Sequence, residues 1–291
     1  MTLDRSLKGK NVAVTGSTGG LGRELCRKIA ALGGNLILVD RNMQKSKEHR
    51  EELLSKYPDI TINCIHLDLE DLSMAEDAVN KLIELNVDIM FHNAGAYSIP
   101  RHKCKSGYDN VFQINFATPY YMVRRLLPYL KMKKGKVIVV GSIAHNYSRI
   151  DNSDIDFSRR NASSKVYGNS KRYLMFSLYE LFKDETEVTL SVVHPGITFT
   201  NITAHYPKLI FAIIKYPMKI IFMKPKHAVM PLVEGIFKST PYLHWIGPRY
   251  FDVWGSPEMK KVKTCTAEES ANIARNAEKV FEICQKTINN D

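Results

Sequence analysis

The chain contains no Cys-x-x-Cys pair. Its five cysteines, Cys26, Cys64, Cys104, Cys265 and Cys284, are odd in number and widely separated. That pattern excludes a paired-cysteine framework. It predicts reduced thiols in a cytoplasmic compartment, most of them packed as small hydrophobes, and no metal centre. No run of about 18 uncharged apolar residues occurs, so no conventional membrane span is expected. The opening Met1-Thr2-Leu3-Asp4-Arg5-Ser6 lacks an apolar stretch, which argues against a secretory signal. Internal repeats and low-complexity segments are absent. The net charge of +11 is spread along the chain, and no basic patch interleaved with aromatics accompanies it. Nucleic-acid binding is therefore not expected.

What the chain does have is an ordinary globular balance, 44% hydrophobic and 24% charged over 291 residues. That is enough for one large core. Short, continuous, β-branched apolar runs at 11–15, 35–40, 60–67, 87–92, 136–141 and 188–194 read as buried strands. Helical patterns fill the gaps at 20–33, 44–56, 72–85, 109–132 and 164–183. Strands alternating with helices predict an α/β fold: a Rossmann-like, doubly wound parallel sheet with helices on both faces. A later helix at 226–238 and a strand at 242–247 bring the expected count to about seven strands. The expected organisation is one domain over 1–255, with a helical C-terminal extension over 256–291.

The first strand runs into Thr15-Gly16-Ser17-Thr18-Gly19-Gly20-Leu21-Gly22, and a helix pattern follows at once. Glycines there let the backbone turn sharply and approach a pyrophosphate, while the helix start offers free N–H groups and a positive dipole end. Gly16, Ser17, Thr18, Gly20, Leu21 and Gly22 are the candidate phosphate-side contacts. Asp40 ends the second strand, where an acid can accept from the adenosine ribose hydroxyls. Arg41 beside it would instead favour a 2′-phosphate. Asp40 holds the strand-end position, so NAD is expected, with NADP as the alternative. Asp68, followed by Leu69, would meet the adenine or serve the start of the next helix before Ser73.

Tyr167 and Lys171 lie four apart on a predicted helix and so share a face. A tyrosine with an ordinary pKa near 10 is a poor base at neutral pH, and an adjacent ammonium favours its phenolate. Such a tyrosine can take or return the proton of an alcohol. Ser142 follows the fifth strand, where a hydroxyl can polarise a carbonyl.

Together, Thr15-Gly-x-x-x-Gly20-x-Gly22, Asn93-Ala94-Gly95, Asn115, Ser142, Tyr167-Gly-Asn-Ser-Lys171 and His194-Pro195-Gly196 resemble the motif series of the short-chain dehydrogenases/reductases, in that family's order and spacing. The stretch Gly141–His145, the long gap from Ser142 to Tyr167 and the His-Pro-Gly triplet are most similar to the retinol-dehydrogenase-like and hydroxysteroid-dehydrogenase-like branch. The resemblance implies Ser142, Tyr167, Lys171 and Asn115 as the catalytic set. Asn115 would kink its helix and hold a water linked to Lys171. Tyr167 and Lys171 would also touch the cofactor, and Asn93, Ala94 and Gly95 would lie against the adenosine ribose. Pro195, Gly196, Ile197, Thr198 and Thr200 would wrap the nicotinamide. His194 is read as a structural residue. The resemblance also implies a homodimer or homotetramer built through the helix that carries Tyr167.

Residues 197–225 correspond to the family's substrate lid. From Tyr206 to Lys226 the sequence is apolar and aromatic, with five lysines and no acids. It reads as a pocket wall for a small hydrophobic alcohol or ketone, steroid-, retinoid- or lipid-like. It also reads as a basic face for peripheral membrane contact, or as a helix pair with solvated lysines. The expected activity is a nicotinamide-dependent alcohol dehydrogenase. NADPH-dependent carbonyl reduction, or a non-catalytic dinucleotide sensor or membrane-surface scaffold, are the competing readings.

Overall fold

The computed structural model describes residues 5–196, 223–262 and 265–290. Strands β1 (Asn11–Thr15), β2 (Asn35–Asp40), β3 (Ile62–His66), β4 (Ile89–His92), β5 (Lys136–Val140), β6 (Thr189–Val193), β7 (His244–Tyr250) and β8 (Trp254–Lys261) form one sheet in the order β3-β2-β1-β4-β5-β6-β7-β8. All neighbours are parallel except β7 and β8. The order reverses between β1 and β4, so the loops leaving these strands diverge and open a crevice at their carboxyl ends.

Side chains alternate across each strand and feed two cores. Val12, Val14, Leu36 and Leu38 join one, under helices α1 (Gly20–Ala31) and α2 (Met43–Lys56). Ala13, Ile37 and Val39 join the other, under α3 (Leu72–Glu84) and the helices that follow β4 and β5. These are α4 (Asn110–Phe112), a π-helical turn over Gln113–Ala117, α5 (Thr118–Lys133) and α6 (Ser163–Leu181). After the lid region come α7 (Pro225–Ala228) and α8 (Met230–Phe237), and the described chain closes with α9 (Ala267–Asn289).

Three elements differ from the expectation. The sheet has eight strands, because residues 254–261, most of which fall in the expected helical extension, add antiparallel to β7. Trp-Gly-Ser-Pro-Glu-Met-Lys-Lys carries no apolar alternation, and as an edge strand it needs none; its lysines and Pro257 suit an edge that must not recruit further strands. The helix expected over 109–132 is interrupted by a π-helical turn around Asn115, the residue at which the resemblance implied a kink. The helix expected over 226–238 is split at Val229; Met230 starts the second piece and Pro231 follows in its first turn, where a helix tolerates proline.

Helix α9 packs on α3, α5 and α6. Its Ile273, Ala277, Val280 and Cys284 enter the second core. The Tyr120 hydroxyl donates to Glu278 at 2.8 Å, and Asn276 donates to the Tyr173 hydroxyl at 3.0 Å. No described helix is long and apolar enough to cross a membrane.

Candidate active site

The glycine-rich turn lies at the switch point. Gly16 has φ +67°, a left-handed conformation that suits glycine, and its N–H donates to the Val39 carbonyl at 2.9 Å. Gly22 is the tightest position of this turn: a Cβ there would stand 2.1 Å from the Gly16 carbonyl oxygen. No side chain caps α1 at Gly19, so the helix start faces the crevice without an internal acceptor. Gly20 is exposed and Leu21 half-buried at that start. This cradle fits a pyrophosphate on both counts, close backbone approach and unclaimed N–H groups.

The turn is held from two sides. Thr15 Oγ1 accepts from the N–H groups of Asn93 and Ala94 at 3.1 and 3.0 Å. The Asn93 amide donates back to the carbonyls of Thr15 and Gly16 at 3.0 and 3.2 Å. On the other side, Asp40 is 3% exposed and accepts from four donors. They are Ser17 Oγ at 2.5 Å, the Thr18 N–H and hydroxyl at 3.2 Å each, and Ser46 Oγ at 2.9 Å. Asp40 thus stands where sequence placed it, but its carboxylate is directed at the turn and at α2. Arg41 next to it is 71% exposed, its guanidinium 3.9 Å from Asp68.

Asp68 is half-buried, and its Oδ1 accepts from the Glu70 N–H at 3.1 Å. The N-cap of α3 is Asp71, which accepts from Ser73 and Met74. The Leu69 side chain is buried, and its carbonyl accepts from the Thr118 hydroxyl at 2.7 Å.

The catalytic candidates converge at the ends of β4 and β5. Ser142 begins a 3-10 turn over Ile143–Tyr147, and its Oγ accepts from the Ala144 N–H at 3.2 Å. The Ser142 hydroxyl lies close enough to the Tyr167 phenol to lower its pKa. Lys171, 3% exposed, places Nζ 5.8 Å from the centre of the Tyr167 ring and donates to the Val140 carbonyl at 2.9 Å. Burial pushes the phenol up to about 12 against the opposing Ser142 hydroxyl, and burial holds the Lys171 ammonium down to about 8. Gly168 lets α6 touch the Ser142 turn, since a Cβ there would lie 2.4 Å from the Ala144 carbonyl oxygen.

Asn115, fully buried in the π-helical turn, spends its amide on backbone. It donates to the carbonyls of Ala96 and Val111 at 2.8 Å each and accepts from the Ala96 N–H at 3.1 Å. It therefore anchors the loop after β4. Gly95 is close beside it, with a Cβ position 2.7 Å from the Asn115 Oδ1.

His194 is 1% exposed, lies 4.1 Å from the Trp245 ring centre, and accepts from the Gly196 N–H at 3.2 Å. Gly196, at φ +79°, passes the Val253 carbonyl and shares this end of the sheet with Pro195. Ile197, Thr198, Thr200 and the lid segment as far as residue 222 lie outside the described residues.

Sequence reasoning missed four contributors. Tyr97 meets the Tyr167 ring edge-on at 5.2 Å. Thr15 and Ser46 hold the turn through their hydroxyls, and Gly168 sets the approach of α6. Two of them carried a signal: Thr15 opens the glycine-rich motif, and Gly168 is a glycine inside a helix, which calls for a packing reason. Among the described residues, Glu70, His102 and Cys104 gather their ligand-type atoms within 4.8 Å. His102 Nδ1 faces the Asn110 amide donor at 3.2 Å, which leaves the proton on Nε2, 2.7 Å from Glu70. That arrangement is a hydrogen-bonded pair across two loops, with the nitrogen lone pair already committed.

Residues 10–208 match the short chain dehydrogenase family, and the chain belongs to it. Within the family it falls on the retinol-dehydrogenase-like side. Human Retinol dehydrogenase 13 is 30% identical over 206 residues, 69% of this chain and 62% of that protein. The chain spans less than two thirds of the length of such curated relatives, 62% to 65%. The fold is shared with an uncharacterized protein from Mycobacterium Paratuberculosis (TM-score 0.74, 20% identity, 98% of this chain and 95% of that one). It is shared too with a short-chain dehydrogenase from Sphingobium yanoikuyae in complex with NADPH (TM-score 0.61, 18% identity, 78% and 84%).

Proposed function

We propose that the protein transfers hydride between a nicotinamide dinucleotide, NAD or NADP, and a hydrophobic alcohol or its carbonyl partner. The observation that carries this reading is the gathering of Ser142, Tyr167 and Lys171 beside a glycine cradle at the switch point of the sheet. Gly16, Ser17, Thr18, Gly20, Leu21 and Gly22 would hold the pyrophosphate, Asn93, Ala94 and Gly95 the adenosine ribose, and Asp40, Arg41, Asp68 and Leu69 the adenosine end. Pro195 and Gly196 border the nicotinamide end. When bound, the oxidised cofactor supplies the hydride acceptor and a positive charge near the phenol. Tyr167 takes the alcohol proton, or returns it in reduction. Ser142 donates to the substrate oxygen and holds it towards the phenol. The buried Lys171 charge favours the phenolate.

The apolar composition of 206–226, and the name carried by Retinol dehydrogenase 13, support a bulky hydrophobic substrate. A second reading, NADPH-dependent reduction of ketones or aldehydes, is supported by the exposure of Arg41 and by the occupation of Asp40 within the protein. Assembly as a dimer or tetramer follows the family habit; an assembly through α6 would have to include α9, which covers part of that face.

Turnover of a panel of hydrophobic alcohols with NAD, and of ketones with NADPH, tests the reading directly. Tyr167→Phe is expected to lose about 10²–10⁴-fold in kcat while still binding cofactor. Unchanged turnover in that variant would overturn the assignment. Cofactor binding without turnover of any substrate would leave the sensor reading.

A further inference from the structure

Arg172 follows the catalytic lysine on α6 and is 1% exposed. Its Nε and Nη2 each lie 2.7 Å from Glu269, one on each carboxylate oxygen, in the forked geometry that favours arginine for carboxylates. Its Nη1 donates to the His145 carbonyl at 3.0 Å. His145 sits in the 3-10 turn that Ser142 begins, and both its backbone N–H, at 3.1 Å, and its ring Nδ1, at 2.6 Å, reach the Ser142 carbonyl. A carbonyl only accepts, so Nδ1 carries the proton. Glu269 also accepts from Arg149 at 3.1 Å and from the Ile150 N–H at 3.5 Å, beyond the far end of the same turn. One carboxylate therefore fixes the turn from both sides. It lies on the first turn of α9, outside the region matched by the family.

We infer that Glu269 is a positioning residue for the Ser142–Tyr167 pair, acting through Arg172 and the His145 carbonyl. The inference rests on the proposed oxidoreductase function. Its physical content is that a serine on a short turn cannot hold its hydroxyl to within a fraction of an ångström by itself, and misplacement of about 1 Å costs on the order of 100-fold in rate. The Arg172 guanidinium ties the turn to the helix bearing Tyr167. Glu269 in turn fixes the guanidinium in the orientation that faces the carbonyl.

The test compares the full chain, Glu269→Gln and the double variant Arg172→Met/Glu269→Leu. Three readouts are taken: amide hydrogen exchange over 142–148, thermal stability, and kcat against KM for the cofactor. Glu269→Gln should speed exchange in 142–148 but not in 11–30, and lower kcat about tenfold or more with KM for the cofactor within about twofold. The double variant replaces a buried ion pair by apolar side chains, a change that tends to be neutral or stabilising, so its Tm should recover. Its turn should still exchange fast and its kcat stay low, because the His145 carbonyl has lost its donor. A merely structural pair would recover Tm and kcat together, and that result overturns the inference. Unchanged exchange at 142–148 in Glu269→Gln overturns it as well, whatever the kinetics. A wild-type chain that binds cofactor yet turns nothing over contradicts the proposed function instead, and the exchange data still decide the role of Glu269.

Discussion

Replacing Gly168 by alanine adds one methyl group where α6 crosses the Ser142 turn. The new Cβ would stand 2.4 Å from the Ala144 carbonyl oxygen and 3.2 Å from Ser148 Oγ. Contacts closer than 3.0 Å are not tolerated, so helix and turn must separate by at least 0.6 Å. The Ala144 oxygen belongs to the turn backbone and cannot swing clear, while Ser148 Oγ is a side-chain end already donating to the Lys165 carbonyl at 2.6 Å. Tyr167 is adjacent in sequence and Ser142 is two residues before Ala144, so the separation falls on the distance between phenol and hydroxyl. A displacement approaching 1 Å corresponds to a loss of up to about 100-fold in kcat, and about tenfold is the expectation for the smaller shift. Stability should change less. Overpacking costs about 1–3 kcal/mol, while alanine in place of glycine gains about 1 kcal/mol of helix propensity. The assay is steady-state kcat with saturating cofactor and alcohol, alongside a cofactor titration and a melting curve. A Gly168→Ala protein with kcat within about twofold of wild type would refute the claim that this glycine sets the geometry of the pair.

Two further outcomes follow from named contacts. Gly22→Ala would drive a Cβ to 2.1 Å from the Gly16 carbonyl oxygen, so the cradle must open, and cofactor affinity should fall about tenfold or more; unchanged affinity would show that the turn does not hold the pyrophosphate. His49, His92 and His145 are buried, and burial, the first cause for each, lowers them from 6.5 to about 4, about 3 and about 4. Their pKa values are depressed on folding, so the unfolded chain takes up these protons first. The contribution of these three groups should therefore be level above pH 6.5 and decline as pH falls from 6.5 towards 4, each group adding about 1.4 kcal/mol per pH unit in that window. A Tm that stays flat from pH 6.5 to 4.5 would contradict this, and His49→Leu should reduce the slope.

The parallel sheet and its switch point were legible because five strands are nearly continuous apolar runs while β3, at the sheet edge, alternates buried and exposed residues, and because glycines mark the one turn that must pass close to an anion. Helix spacing put Tyr167 and Lys171 on one face, but what singled the pair out was its place in the ordered motif series behind the glycine-rich turn. Strand β8 was not, since an exposed edge strand needs neither alternation nor apolar residues. The π-helical turn at Asn115 was not visible in the hydrophobic period, which continues across it. Asp40 shows a different limit: sequence placed it at the end of β2, but which donors would claim its carboxylate depended on Ser46, whose approach is a tertiary fact. The Arg172–Glu269 pair joins residues 97 positions apart, and no local pattern announces it. The segment expected to select the substrate lies outside the described residues, so its reading still rests on composition.

The central claim, that the switch-point crevice is a nicotinamide dinucleotide site, is tested most directly by titrating the purified chain with NADH and with NADPH and following nicotinamide fluorescence. The account predicts saturable binding of at least one. Tighter NADH, weakened by Asp40→Ala, would identify Asp40 as the ribose acceptor; tighter NADPH, weakened by Arg41→Ala, would assign that choice to the exposed guanidinium. A folded protein that binds neither would contradict the site, and the proposed chemistry with it.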